Sequence, residues 1–502
     1  MKIQKNICAL MIFLCAALFV AGCDGSLLDI TDLAVNGIPF LARWAGSTVS
    51  AGSFSEFGST AVGPDGSVYA AGVIDGNQGY VFGDITVNGA YTGKNAVLVK
   101  YNNNGTVLWA KSVGETSPGT IDNSLFYAVS AGDDGSVYAA GVIYGSGEYD
   151  FGDGVTVSGG CDYPNSVIVK YSSEGTALWA RSTVIALSAS SFNSVTVGSD
   201  GSVYAVGVIN GQDNFNFGNE CSVSGKFDGV NAVIVKYDNT GNALWARCAT
   251  TAPSISLFYS VTAGNDGSVY AAGLISSGTY IFYDNASVDG VYSSDNPLLV
   301  KFNSDGTALW ARSTESASTS SFFRAITTGP DGAVYTAGII NSDKAVNFGN
   351  GVEVAGAYSG GDNAVIVAYL SNGTVQWARS VEGPSRSEFK ALATSPDGSV
   401  YAAGTIQQLY TYSFGQGVTA TGINIQDNMV LVKYSPIGSA LVAHAMYGGS
   451  SQSNLWALGV SGNGSVYAAG SIYGEDDFDP GNAISVSGAF ASGLNALLVK
   501  YK

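Results

Sequence analysis

Imidazole chemistry has one candidate in 502 residues, His444. It stands where equivalent stretches of the chain carry Lys111, Arg181, Arg247, Arg312 and Arg379, so it is expected to be a surface substituent. A Ser-His-Asp arrangement would have to use it. No HExxH, P-loop or EF-hand spacing occurs, and neither a metal nor a cofactor is expected. Carboxylates are abundant, with 39 Asp+Glu, but spacing does not say which of them meet. A paired-carboxylate hydrolase therefore stays open. The densest acidic run, Glu475-Asp476-Asp477-Phe478-Asp479, is expected to be a solvated loop, with calcium binding as the alternative. The remaining chemistry is recognition. One position varies freely between otherwise repeated stretches: Gly58, Tyr127, Asn193, Tyr259, Arg324, Lys390 and Trp456. Each follows a fixed aromatic or aliphatic residue, the series Phe57, Phe126, Phe192, Phe258, Phe323, Phe389 and Leu455. Aromatic and cationic side chains are the types that dominate binding hot spots, so Tyr127, Asn193, Tyr259, Arg324, Lys390 and Trp456 are the candidate ligand-binding set.

The elements that must hold this set in place repeat. Asp65-Gly66-Ser67-Val68-Tyr69-Ala70-Ala71-Gly72 returns with its second residue at Gly135, Gly201, Gly267, Gly332, Gly398 and Gly464. A constant period marks a repeat architecture. Each repeat reads as four strands, in the first case 59–63, 67–74, 96–101 and 106–112. An Asp-Gly turn joins the first two, because Gly accepts positive φ at no steric cost. A longer excursion around Phe82 separates the second and third. Residues 40–45 match the end of a repeat (compare 107–111), and 496–501 stop just before that phrase. The fold class is therefore all-β: a seven-bladed β-propeller of four-stranded antiparallel blades, closed by an N-terminal strand that completes the last blade. In that architecture the variable position, in the loop entering the innermost strand, rims the mouth of a central channel. The Lys100, Lys170, Lys236, Lys301, Lys433 and Lys500 row, interrupted by Ala368, is expected to pair with the Asp of the adjacent turn.

Charge and cysteine usage narrow the partners. With 21 Lys+Arg the formal net charge is −18, and a negative field repels phosphate backbones, so no nucleic-acid partner is expected. Lys2, Lys5 and the apolar run 7–21 read as an export leader too short to span a membrane comfortably. Val20-Ala21-Gly22-Cys23 resembles the bacterial lipoprotein signal, which implies cleavage before Cys23 and acylation of that residue. The expected organisation is a leader at 1–22, a tether at 23–38 and the propeller at 39–502. Beyond the leader and Cys23 remain Cys161, Cys221 and Cys248. Three thiols cannot all pair; buried free thiols are expected, with a Cys161–Cys221 disulfide as the alternative.

The phrase Asp-x-x-Gly-x-Val-Tyr-x-x-Gly, followed by Ala-Val-x-Val-Lys-Tyr-x-x-x-Gly-x-x-x-Trp-Ala, resembles the bacterial seven-bladed propeller repeats labelled SBBP, over residues 39–502. That resemblance implies an exported or surface protein. Residues 233–245 also resemble quinoprotein and outer-membrane assembly-lipoprotein propellers, usually eight-bladed. The functional expectation is a monomeric, non-catalytic scaffold, lipid-anchored at the outer membrane or cell surface, with the periplasmic face of the inner membrane as the alternative. Through its loop face it binds envelope or extracellular protein or glycan. The alternatives are a polysaccharide-acting enzyme with carboxylates at the channel mouth, or an envelope-assembly lipoprotein.

Overall fold

The computed structural model describes residues 40–114, 123–283 and 286–502, and every regular element in them is a strand. Cys23, the leader and the tether therefore lie outside the described residues. The first sheet contains Ser55–Val62, Val68–Asp75, Lys94–Tyr101 and Val107–Ser112, antiparallel in that order. Among the described residues five sheets have four strands in this order, and two more carry the same four extended by a hairpin from the next stretch of chain. The turn between the first two strands forms because Gly66 sits at φ 78° and Asp65 Oδ1 accepts from Ser67 N at 2.9 Å. The second strand, Val68–Asp75, is buried on both faces up to its last residue, as a strand sandwiched between two other sheets must be.

The first strand is longer than its sequence suggests. It spans Ser55–Val62 rather than 59–63, and the register slips between Phe57 and Ser59. Gly58 and its equivalents are thus the extra residues of a β-bulge inside the strand, not part of a loop before it. Opposite the bulge the backbones come close: a Cβ on Gly72 would lie 1.9 Å from Glu56 O, so only glycine fits there. The excursion after the second strand is also structured. Gly79–Phe82 and Ile85–Asn88 form a small hairpin that pairs with Ala42–Ser50, and its counterparts reach back to the preceding stretch in the same way.

Three rows of side chains bind each sheet to the next. A buried serine opens each first strand, and its Oγ accepts the backbone N–H of the preceding sheet's third strand: Ala96 to Ser124, Ser166 to Ser190, Ala232 to Ser256, Ala364 to Ser387 and Met429 to Ser453, at 2.9–3.0 Å. Ala496 N donates to Ser55 Oγ at 3.0 Å in the same manner, so the last stretch of chain abuts the first. The one gap has a covalent cause. Pro297 occupies the donor position facing Ser321 and has no N–H, so the buried Ser321 Oγ has no partner among the described residues. A tryptophan on every fourth strand but Ala440–Ala445 reaches the next sheet's turn, as Trp109 does to Ser173 O at 3.0 Å while packing on Tyr69 with ring centroids 5.9 Å apart. Lys100 donates to the same Ser173 carbonyl at 2.9 Å and lies 3.6 Å from Asp65, the turn pairing expected of the lysine row.

The two chain ends share a sheet. Ala42–Ser50 pairs antiparallel with Leu494–Tyr501, from Ala42↔Tyr501 to Ser47↔Leu497, and Trp44 Nε1 donates to Asn103 O at 3.0 Å. Because this sheet pairs Leu494–Tyr501 with Ala42–Ser50, segments distant in sequence, no turn links its third and fourth strands. The residues that would meet such a turn differ accordingly. Val442 replaces the tryptophan, Lys433 keeps a 3.8 Å contact with Asp397, and a 410 Å³ cavity opens between Phe40, Tyr401, Val442 and Lys502. His444 is a correction to the surface position expected of it. It is 8% exposed, and its Nε2 lies 2.7 Å from Pro480 O, a neighbour that no local pattern announces. The serine row yields a paired test. Ser387→Ala strands a buried N–H and should cost about 1–3 kcal/mol, whereas Ser321→Ala, with no bond to lose, should stay within about 0.5 kcal/mol of wild type by denaturant unfolding.

Candidate functional site

The bulge residues and those two places before them share one face of each first strand, because the intervening Phe57 and its equivalents point into the core. The second row, missed in the sequence, is also variable: Glu56, Leu125, Ser191, Leu257, Phe322, Glu388 and Asn454. Its signal was available as the period-2 partner of the bulge position.

Four of the six candidates come together through these neighbours. The Arg324 guanidinium stacks over the Tyr259 and Phe322 rings, at 4.8 and 4.9 Å from their centroids, and its Nε donates to Glu388 Oε1 at 2.8 Å. The Lys390 ammonium lies 3.7 Å from the Trp456 ring centroid and donates to Asn454 Oδ1 at 3.1 Å. Asn193 is used differently: its Nδ2 donates to Phe258 O at 2.9 Å and so ties one first strand to the next. Tyr127 stands apart, 39% exposed, and desolvation pushes its pKa up to about 12.

Glu56 completes the cluster from the far side. Its Oε1 accepts from Ser471 Oγ at 3.0 Å, in a row where other sheets carry Val73, Val142, Val208, Leu274, Ile339 and Thr405. Burial raises the Glu56 pKa above the ordinary value, while Ser471, Trp456 and Lys390 oppose the shift. Burial likewise lowers the Lys390 pKa, against the pull of Glu388 and Asp427. The face is therefore two-sided. Leu125 packs with Val73 and Val142 into an apolar patch beside Phe54 and Tyr144, whereas Arg324, Glu388, Lys390 and Glu56 form a charged arc with aromatic floors.

Other candidates are occupied locally. Asp476 accepts from Ser450 N at 2.9 Å, Asp477 from Ser485 Oγ at 3.1 Å and Asp479 from Gly481 N at 2.8 Å. Among the described residues no group of three or more His, Cys, Asp or Glu is arranged to hold a metal. Cys161, Cys221 and Cys248 are free thiols, and burial pushes the Cys248 thiol up to about 12, which leaves it unreactive.

No family model matches the chain, and no curated protein matches it either. Solved structures similar to it are β-propeller-like. They include a protein of unknown function from Dyadobacter fermentans, at 11% identity and TM-score 0.37, covering 93% of this chain and 100% of that one. Virginiamycin B lyase from Staphylococcus aureus is similar at 10% identity and TM-score 0.39, covering 90% and 97%. A polysaccharide lyase, ulvan lyase, stands at 9% and 0.39, covering 89% and 97%. Likeness of this degree carries no argument about chemistry.

The Glu56 shift fixes the sign of a pH effect. As pH rises from the ordinary glutamate value of 4.5, the unfolded chain releases this proton before the native one does, so the Glu56 contribution to stability falls. Thermal melts of Glu56→Gln should therefore gain on wild type between about pH 4 and about pH 8.

Proposed function

We propose that the protein is a non-catalytic, glycan-binding, seven-bladed β-propeller, anchored in the cell envelope through acyl groups on Cys23. The seven sheets are its blades. The pairing of Ala42–Ser50 with Leu494–Tyr501 and the bond from Ala496 to Ser55 support closure by the N-terminal strand. On this reading the bulge row rims one mouth of the central channel, and the protein works as a monomer outside the cytoplasm. The leader pattern ending at Cys23 supports export and lipidation. Among the described residues no helix is long and apolar enough to cross a membrane.

The observation that carries the glycan reading is the pairing of cations with aromatic faces at a position the repeats do not fix: Arg324 on Tyr259 and Lys390 on Trp456. Trp456 is 37% exposed. Sugar rings bind through C–H groups laid on aromatic faces and hydroxyls bonded to fixed polar groups, and this cluster offers both. An array of envelope and extracellular glycans should retain the full-length chain in detergent. Trp456→Ala and Tyr259→Ala should each weaken retention about tenfold, on the scale of one lost hot-spot contact. Retention by no glycan, or equal retention of both variants, contradicts the proposal; capture of an envelope protein instead would assign the face to a protein partner. Cys23→Ala should move the chain from the membrane to the soluble fraction.

A second reading has one observation in its favour. Glu56 and Glu388 both act electrostatically on Lys390, and polysaccharide cleavage uses two carboxyl groups flanking one bond. Release of reducing ends from a retained glycan, lost in both Glu56→Gln and Glu388→Gln, would establish it.

A further inference from the structure

The charged arc has an arithmetic of its own. Arg324 and Glu388 neutralise one another at 2.8 Å. Among the described residues Lys390 makes no ion pair within 4.0 Å: of its three donors Asn454 takes one, and the ammonium lies over the face of Trp456. Glu56, on the first sheet, accepts from Ser471 of the seventh at 3.0 Å, and the charges of Lys390 and of Lys94, on the third strand of its own sheet, act on it. Lys390 in turn faces Glu388 and Asp427 on its own sheet and Arg324 on the fifth. When Glu56 is ionised the four central groups sum to zero; when it carries a proton they leave one positive charge on Lys390. An ammonium held on an indole, with spare donors, is a seat for an anion. Glu56 decides whether that seat is free.

Resting on the glycan reading above, we propose that the charged arc is a subsite for a sugar-borne anion, a carboxylate or a sulfate ester, taken up together with a proton on Glu56. The sugar ring lies on Trp456, its anionic group meets the Lys390 ammonium, and the proton on Glu56 removes the negative charge that would oppose it. Burial of Glu56 favours that proton, so affinity for acidic glycans falls as pH rises. Neutral glycans gain nothing from the change in pH.

Calorimetric titration of the full-length chain in detergent tests this with three probes: oligogalacturonate, dextran sulfate and neutral dextran oligomers. Uronates and sulfate esters are ionised at both about pH 5 and about pH 8, so any pH dependence belongs to the protein. The expected result is binding of the acidic probes about tenfold tighter than dextran at the lower pH, with the advantage shrinking at the higher. Preference for oligogalacturonate would identify the anion as a carboxylate, and preference for dextran sulfate as a sulfate. Glu56→Gln should keep the acidic preference at both values, and Lys390→Met should lose it at both, with circular dichroism and melting showing that both variants fold. Equal binding of dextran and the acidic probes, or a pH dependence unchanged in Glu56→Gln, overturns the subsite while leaving the glycan reading in place. If none of these probes binds and the glycan array is also blank, both fall.

Discussion

One buried hydroxyl per sheet governs how the sheets meet. A serine at the start of each first strand accepts the N–H that the neighbouring third strand turns away from its own ladder. A buried N–H without an acceptor costs more than the bond itself contributes, so the serine fixes both the distance and the height of one sheet against the next. Trp109 and its equivalents, bonding to the next turn from the fourth strand, fix the outer edge in the same way. With both edges pinned, neighbouring sheets have little freedom to rotate. The exception at Ser321 supports the reading, because it falls where Pro297 removes the donor.

Pinned sheets bring their first strands together at one end, and the bulge decides what they present there. An ordinary strand would alternate Phe57 with its neighbours in strict register. Alternation puts the residues on either side of Phe57 on one face, and the slip leaves Gly58 and its equivalents there as extra residues without a cross-strand partner. Around the first strands this yields two adjacent variable rows on a constant frame. The frame tolerates costly contents. Lys390 and Glu56 are both disfavoured by burial in their charged forms, and each relies on partners from another sheet. Strain of this kind is what a stable scaffold can carry at a site of recognition.

Much of this was legible in the sequence. The Asp-Gly turns, the four-strand grammar, the pairing of Lys100 with Asp65 and the placement of residues 40–45 beside 496–501 all follow from local patterns, which the structure bears out. The candidate set was legible as variation against a repeat, and Tyr259, Arg324, Lys390 and Trp456 do come together. Glu56 and Glu388 were not picked out, because a reading that starts the first strand at 59 leaves their row outside it. The hairpins after the second strand were also missed, since segments such as Ile85–Asn88 are short and alternate only weakly. His444 misled by its place in a cationic row; its burial depends on Pro480, from a different sheet's loop.

The central claim is that the two ends of the chain form one sheet within a continuous packing of all the sheets. Native-state amide hydrogen exchange measures this directly. The account predicts that Ala42–Ser50 and Leu494–Tyr501 exchange together, at the slow rate of the interior strands, and that Trp44→Ala accelerates both segments alike. Fast exchange of 42–50 while 494–501 stays protected, or acceleration of one segment alone, would contradict it.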